Sequence, residues 1–307
     1  MTAGPGVYGL TLAGDDVVPD VARAVGDGRR VVRLRACRAE DIHAAWPSTG
    51  SRRLAEEHPE PGEPPRTIDG HDTAGWRLAA PGWGFAQVAR DGTTIDCARE
   101  GAAAWRWQRF VVGRALPFAA VAAGLEVLHA GAVAHDGGAL AFTGPSGIGK
   151  SSVVAALVRR GAGLLSDDAL ALENGPDLVA HPGPAALALR DDEAARLGSA
   201  ADSLGEDAGA GGGKHYRSLD PGTAPVPVRR LVFLRRGTSA GVAVRPLAAG
   251  AAEAVLGALF APEIVTRERL STQLDVIARI VADVACDEIV SGPGAGPDDV
   301  ADAVLAG

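Results

Sequence analysis

The sequence predicts an α/β chain, α+β overall, with a small β-rich N-terminal domain over residues 1–98 and a larger mixed domain over residues 99–307. Three observations carry that expectation. The first 98 residues hold short apolar runs separated by turn residues. Residues 139–160 read as a buried strand, a glycine-rich turn and a helix in succession. Beyond residue 250, three segments show apolar residues at helical spacing.

In chain order, residues 7–12 and 30–34 have strand character, and the Pro- and Glu-rich residues 58–66 read as a loop or linker. Residues 76–78, 84–88 and 93–96 are expected strands, with Arg90-Asp91-Gly92 as a hairpin turn. Trp76 and Trp83 are expected in a core or an interface rather than around a ligand. Residues 100–124 turn helical, with Pro117 expected to interrupt the helix. Residues 127–134 and 139–143 suit an antiparallel pair around the turn at 135–138.

After the helix at 152–160, residues 163–166 form the next expected strand and end in Asp167-Asp168. Residues 169–190 show strand-like alternation, and the glycine-rich, acidic residues 205–213 suggest a mobile loop. A strand at 226–234, helices at 252–260 and 270–285, and a closing helix at 298–305 complete the expectation. No internal repeat is visible.

The totals exclude several classes. A 47% hydrophobic, 22% charged composition is that of a globular protein with ample core. The net charge of −8 gives nucleic acid no basic face to meet. Cys37, Cys97 and Cys286 are odd in number and widely spaced, which suits a reducing compartment and no metal pattern. No basic segment followed by an apolar stretch opens the chain, and the most apolar window, 115–134, contains Pro117, Glu126 and His129. A cytoplasmic protein with no membrane and no nucleic-acid partner is expected.

The chemistry concentrates at residues 144–151. They fit G-x-x-x-x-G-K-[ST], the Walker A or P-loop pattern, with Gly144, Gly149, Lys150 and Ser151 at the fixed positions. Only two lysines occur in the chain, Lys150 and Lys214, and one fills the required place. In a strand–loop–helix of this kind, backbone N–H groups and a helix N-terminus converge on an anion. Gly144, Ser146, Gly147, Gly149, Lys150, Ser151 and Ser152 are the expected nucleotide-binding residues. Lys150 would reach the β- and γ-phosphates and Ser151 would ligate Mg²⁺. Asp167-Asp168 stands where open α/β sheets place ligands, and adjacent carboxylates there can bind Mg²⁺ and accept a proton. His129 stands near the start of the strand before the loop, where it reads either as a packed core residue or as part of the site.

The spacing resembles that of bacterial HPr serine kinases: a His-bearing strand, a loop of the form G-x-S-G-x-G-K-S, an Arg-Gly, a strand and an Asp-Asp pair. Here these are His129, Gly144–Ser151, Arg160-Gly161, Leu164-Leu165-Ser166 and Asp167-Asp168. The resemblance is strong over residues 128–168 and implies the P-loop core that HPr kinase shares with phosphoenolpyruvate carboxykinases. It implies ATP and Mg²⁺ as cofactors. It also implies Asp167 as base for a serine hydroxyl, Asp168 and Ser151 as metal ligands, and His129 as support, although the residues themselves leave the roles of the two aspartates interchangeable. Ser152 stands where those kinases carry Glu. The segment Leu187-Ala188-Leu189-Arg190 lacks the metal-binding Glu of their later signature, Arg190 alone matching. The segment tied to the reverse phosphorylase reaction is not recognisable, so the closer likeness is to HPr-kinase-related proteins of peptide natural-product pathways.

The expected function is therefore an ATP-dependent serine kinase acting on a peptide or protein, such as a lasso-type precursor peptide. A small-molecule alcohol kinase and a nucleotide-binding regulator with little catalysis are the alternatives. The N-terminal domain is the expected surface for a long substrate. Lys214 and Arg217, after the glycine-rich stretch, are candidates for binding the transferring phosphoryl group. Arg267 and Arg269 read as an exposed helix face.

Overall fold

A computed structural model describes residues 4–14, 20–58, 64–198, 201–207, 213–219, 224–247 and 250–306. Mixed α and β structure fills two compact units, Met1–Leu125 with Ala261–Leu270, and Glu126–Phe260 with Ser271–Gly307. Among the described residues no helix is long and apolar enough to cross a membrane.

The first unit opens with β1 (Pro5–Val7), β2 (Leu10–Ala13), β3 (Ala24–Val25), β4 (Val31–Ala36) and α1 (Ala39–Ala45). It continues through β5 (Arg52–Glu57), β6 (Arg66–His71), β7 (Gly75–Ala80), β8 (Gly84–Val88) and β9 (Thr94–Arg99). These strands form one sheet in the order β3-β1-β2-β4-β9-β8-β7-β6-β5. The stretch 7–12 is thus not one strand. Tyr8 and Gly9 have φ of 56° and 75° and turn the chain within a two-residue hairpin. Alternation along β7 and β8 buries Trp76, Leu78, Ala86 and Val88. Trp83 is instead half-buried and meets the guanidinium groups of Arg66, Arg106 and Arg109.

Pro117 does not interrupt the helical stretch. α2 (Ala104–Phe110) passes through a π-helical turn at Val111–Ala115 directly into α3 (Leu116–Ala122), with Pro117 in its first turn. The wider π turn just before the proline accommodates the ring and the hydrogen bond it cannot donate. The Tyr8 hydroxyl donates to the Val112 carbonyl of that turn at 3.0 Å.

The second unit begins with β10 (Glu126–Leu128), β11 (Ala130–His135), β12 (Gly138–Thr143), α4 (Lys150–Arg159) and β13 (Gly163–Ser166). Then come β14 (Leu170–Asn174), β15 (Leu178–His181), β16 (Ala186–Leu189), α5 (Asp191–Leu197), β17 (Asp202–Asp207) and β18 (Lys214–Ser218). It closes with β19 (Val226–Arg236), β20 (Val242–Pro246), α6 (Ala251–Leu256), α7 (Arg267–Asp283), β21 (Ala285–Ser291) and α8 (Pro297–Leu305); the first turn of α7 belongs to the first unit. Of the expected loops, residues 59–63 and 208–212 lie outside the described residues, while residues 205–207, expected in the second of them, belong to β17 and pair with β18.

The main sheet runs β10-β14-β15-β19-β12-β11-β13, with β21 beside β19 and β20 beyond it. Residues 127–134 are split at His129, because β10 pairs with β14 while β11 pairs with β12 and β13. Helix 270–285 begins earlier and stops at Asp283, since Ala285 already pairs with Arg230. β12 lies parallel to β19 and β19 to β21, while β11 is antiparallel to both β12 and β13. The carboxyl ends of β12, β13, β19 and β21 therefore share one edge.

Helices cover both faces. Val153, Val154 and Leu157 of α4 pack with Val300 and Val304 of α8 on one face; Val276, Ile277 and Ile280 of α7 pack on the other. The basic end of α4 is accounted for by this packing: Arg160 pairs with Asp298 at 2.6 Å and Asp302 at 2.8 Å on α8. A separate antiparallel sheet, β16-β18-β17, completes the unit.

Candidate functional site

The carboxyl-terminal edge of the main sheet collects most of the residues singled out above. Between β12 and α4 the chain makes a loop in which Gly144, Gly147 and Gly149 have φ of 146°, 78° and 108°. Side chains rarely adopt such values. At Gly144 space forbids one as well, since a Cβ would fall 2.7 Å from the Leu234 carbonyl oxygen of β19. Ser146 and Gly147 are exposed at the loop tip, and Gly149 caps α4. Lys150 is 6% exposed and folds back over the loop, its Nζ donating to the carbonyls of Gly144 at 3.0 Å and Pro145 at 3.4 Å. Burial lowers its pKa, opposed by the charges of Asp168 and Asp167.

Asp167 follows the last residue of β13 and is buried at 6% exposure. One carboxylate oxygen accepts a hydrogen bond from the Ser151 hydroxyl at 2.8 Å, the other from the Ala188 N–H at 3.0 Å. Burial and the neighbouring Asp168 push its pKa up to about 7, against the opposing pull of those two donors. Gly131 on β11 lies beside Asp167 and leaves room for Val154 of α4, since a Cβ there would sit 2.9 Å from the Val154 side chain.

His129 occupies the break between β10 and β11. Its Nδ1 lies 2.9 Å from the Asp168 carbonyl oxygen, its own carbonyl accepts from the Thr143 hydroxyl at 3.1 Å, and its backbone N–H donates to the Ala258 carbonyl at 2.6 Å. Asp168 is half-buried with a φ of 65°, a conformation that Asp tolerates better than most residues. The histidine ring thus meets the backbone of Asp168, the second residue of the carboxylate pair. Ser152 is half-buried one residue beyond Ser151, on the next position around α4.

The weaker candidates separate. Lys214 is exposed at the start of β18, and its positive charge acts on both Lys150 and Asp167. Arg217, three residues on, faces the opposite side of the strand, and its buried Nε has no hydrogen-bond partner among the described residues. Arg190 is exposed at the start of α5, whereas the nearby Ala188 meets Asp167 through its backbone. Arg269 is not on an exposed face: it is buried, donating to the carbonyls of Ala261 and Ile264.

Two residues at this edge carried no sequence signal. Arg236 ends β19 and reaches the loop at Ile148, and Ser291 ends β21 beside it. Only the parallel register of β12, β19 and β21 brings them there. Among the described residues, no group of three or more His, Cys, Asp or Glu side chains gathers to hold a metal.

No family model and no curated protein matches the chain. Among solved structures, the Hpr(Ser) kinase/phosphatase from Coxiella burnetii matches with 20% identity and a TM-score of 0.26. The match covers 36% of this chain and 66% of that one.

Proposed function

We propose that the chain is an ATP-dependent phosphotransferase, a serine kinase whose acceptor is a hydroxyl of a peptide or protein. The observation that carries this reading is the buried Asp167 carboxylate bonded to Ser151, the residue that follows the loop lysine. In this reading the loop N–H groups and the N-terminus of α4 bind the polyphosphate, with Lys150 at its β- and γ-phosphates. Asp167, with a pKa near neutrality, takes the acceptor's hydroxyl proton as the new oxygen–phosphorus bond forms and the β–γ bridging bond breaks. His129 holds the pair in place, and the charge of Lys214 stabilises the transferring group.

Mg²⁺ fits the donor set as a substrate-borne ion. Mg²⁺ is commonly held by one or two protein oxygens plus phosphates and water rather than by a full protein cage. Ser151 and Asp168 would hold it, and when bound it would neutralise phosphate charge. The lasso-type precursor peptide remains the acceptor class that the sequence resemblance favours, with the β-rich first unit as the surface for its length.

The test is γ-labelled ATP and Mg²⁺ incubated with the protein and an extract of its source cells, followed by separation by size. Label in a peptide or protein is the expected result and supplies the acceptor for sequencing. Label in a small metabolite would replace the peptide acceptor by a small alcohol. Release of free phosphate alone, or no turnover, would overturn the transferase reading.

A further inference from the structure

The nucleotide site proposed above has two unlike flanks. On one, Ser151 turns toward Asp167. On the other, a Cβ built at Gly149 would lie 4.0 Å from both Ser152 Oγ and Arg236 Nη2. Arg236 is exposed at the last position of β19, held by two contacts. Its Nη1 donates to Ser291 Oγ at 3.2 Å, and its Nη2 lies 3.4 Å from the Ile148 carbonyl. The first follows from register, since Arg236 and Ser291 are paired across the parallel strands. Ser291 is 7% exposed and is itself bonded to the Arg235 carbonyl, so this anchor is fixed.

The neighbouring arginine makes the contrast. Arg235 pairs with Glu288 at 2.6 Å, whereas Arg236 has no carboxylate partner among the described residues. Its remaining N–H donors are unpaired among those residues, and β19, which carries it, lies on the opposite side of β12 from β13, which leads into the carboxylates. A guanidinium so placed is a ready partner for phosphate oxygens.

We propose that Arg236 binds the nucleoside end of a bound nucleoside triphosphate, donating to its α-phosphate beside Ser152. The inference rests on the phosphotransferase reading. The reacting γ-phosphate must lie toward Asp167, the proton acceptor, so the opposite flank of the loop receives the α-phosphate and the nucleoside. Arg236 thus binds ground state and transition state alike, and its loss raises KM rather than lowering kcat.

The experiment measures ATP and ADP affinity by calorimetry for the wild type, Arg236→Ala, Arg236→Lys and Lys150→Ala, with KM and kcat for ATP alongside. Arg236→Ala should weaken ATP and ADP by the same factor, roughly tenfold for one charge-assisted hydrogen bond, and raise KM with kcat little changed. Arg236→Lys should recover part of the affinity, and an unshifted unfolding midpoint will separate binding from folding. Unchanged affinities, or a loss confined to ATP with a fall in kcat, would overturn the α-phosphate assignment while leaving the phosphotransferase reading standing. A wild type that binds neither nucleotide would overturn both.

Discussion

Two aspartates, one in each unit, are both nearly closed to solvent and are driven in opposite directions. Asp69 on β6 is 5% exposed and Asp167 after β13 is 6% exposed. Burial pushes both carboxyls up. Asp69, however, faces Arg53 Nε at 2.6 Å and Arg77 Nη2 at 2.8 Å, and these hold it below the ordinary carboxylate value. Asp167 has a hydroxyl and an N–H in contact, and the more distant charge of Lys214, to set against burial and Asp168, and it rises to about 7. A buried acid with two arginines is a fastener, always charged and spoken for. A buried acid without a cation in contact can take up and release a proton near neutral pH, which is what a general base needs.

The largest expected effect tests that distinction directly. Asp167→Asn should lower kcat for phosphoryl transfer by about 10²–10⁴-fold, the range attributed to general acid–base groups. ATP affinity, read by calorimetry, should stay within a few-fold of wild type. Asp69→Asn should leave kcat per folded molecule unchanged. If both variants lost transfer equally, burial alone rather than partnering would govern the two residues, and the contrast would fail.

The same contrast appears in stability against pH. An unfolded Asp titrates near ~3.9, so between roughly pH 4 and 7 folded Asp167 keeps a proton that the unfolded chain has released. Its contribution to stability therefore falls as pH rises through that window, by at most about 1.4 kcal/mol for each pH unit crossed. Asp167→Asn should remove this loss, so that the variant gains on the wild type as urea melts of the second unit are moved from mildly acidic to neutral pH. Asp69 runs the other way: its stabilisation is present above the ordinary carboxylate value and disappears as pH falls through its depressed folded one. Equal slopes for wild type and Asp167→Asn would show that the carboxyl ionises normally in the fold.

These partners explain what the sequence disclosed and what it hid. The loop was legible because its backbone needs are written as glycine: Gly144 cannot carry a Cβ against Leu234, and Gly147 and Gly149 have positive φ. Asp167 was legible because it closes the strand next after α4. Arg53, Asp69 and Arg77 meet only because β5, β6 and β7 pair Arg53 with Asp69 and Asp69 with Arg77, a matter of register that no local pattern records. Arg236 was hidden for the same reason, placed by strands far apart in sequence. Two departures were local. Tyr8 at positive φ disguised a hairpin as one strand, and the π turn before Pro117 let a helix continue where a proline reads as a stop.

The smallest effects sharpen the role of Asp69 by dividing its two arginines. Arg77 is the more enclosed, with 21% of its side chain exposed against 45% for Arg53. It also lies over the Trp46 ring at 5.0 Å, while Arg53 shares its charge with Glu56. Removing Arg77 strips a desolvated partner from the carboxylate together with a cation–π contact, so Arg77→Ala should cost about 2–3 kcal/mol of first-unit stability. Arg53→Ala removes a half-exposed pair that water can replace, and about 0.5–1 kcal/mol is expected. Arg77→Lys keeps the charge but loses the planar fork that bonds Asp69 through both Nε and Nη2, so it should fall between them. Chemical denaturation at neutral pH reads all three. An order with Arg53 first would mean that the 2.6 Å contact, and not enclosure, sets the strength of this fastener.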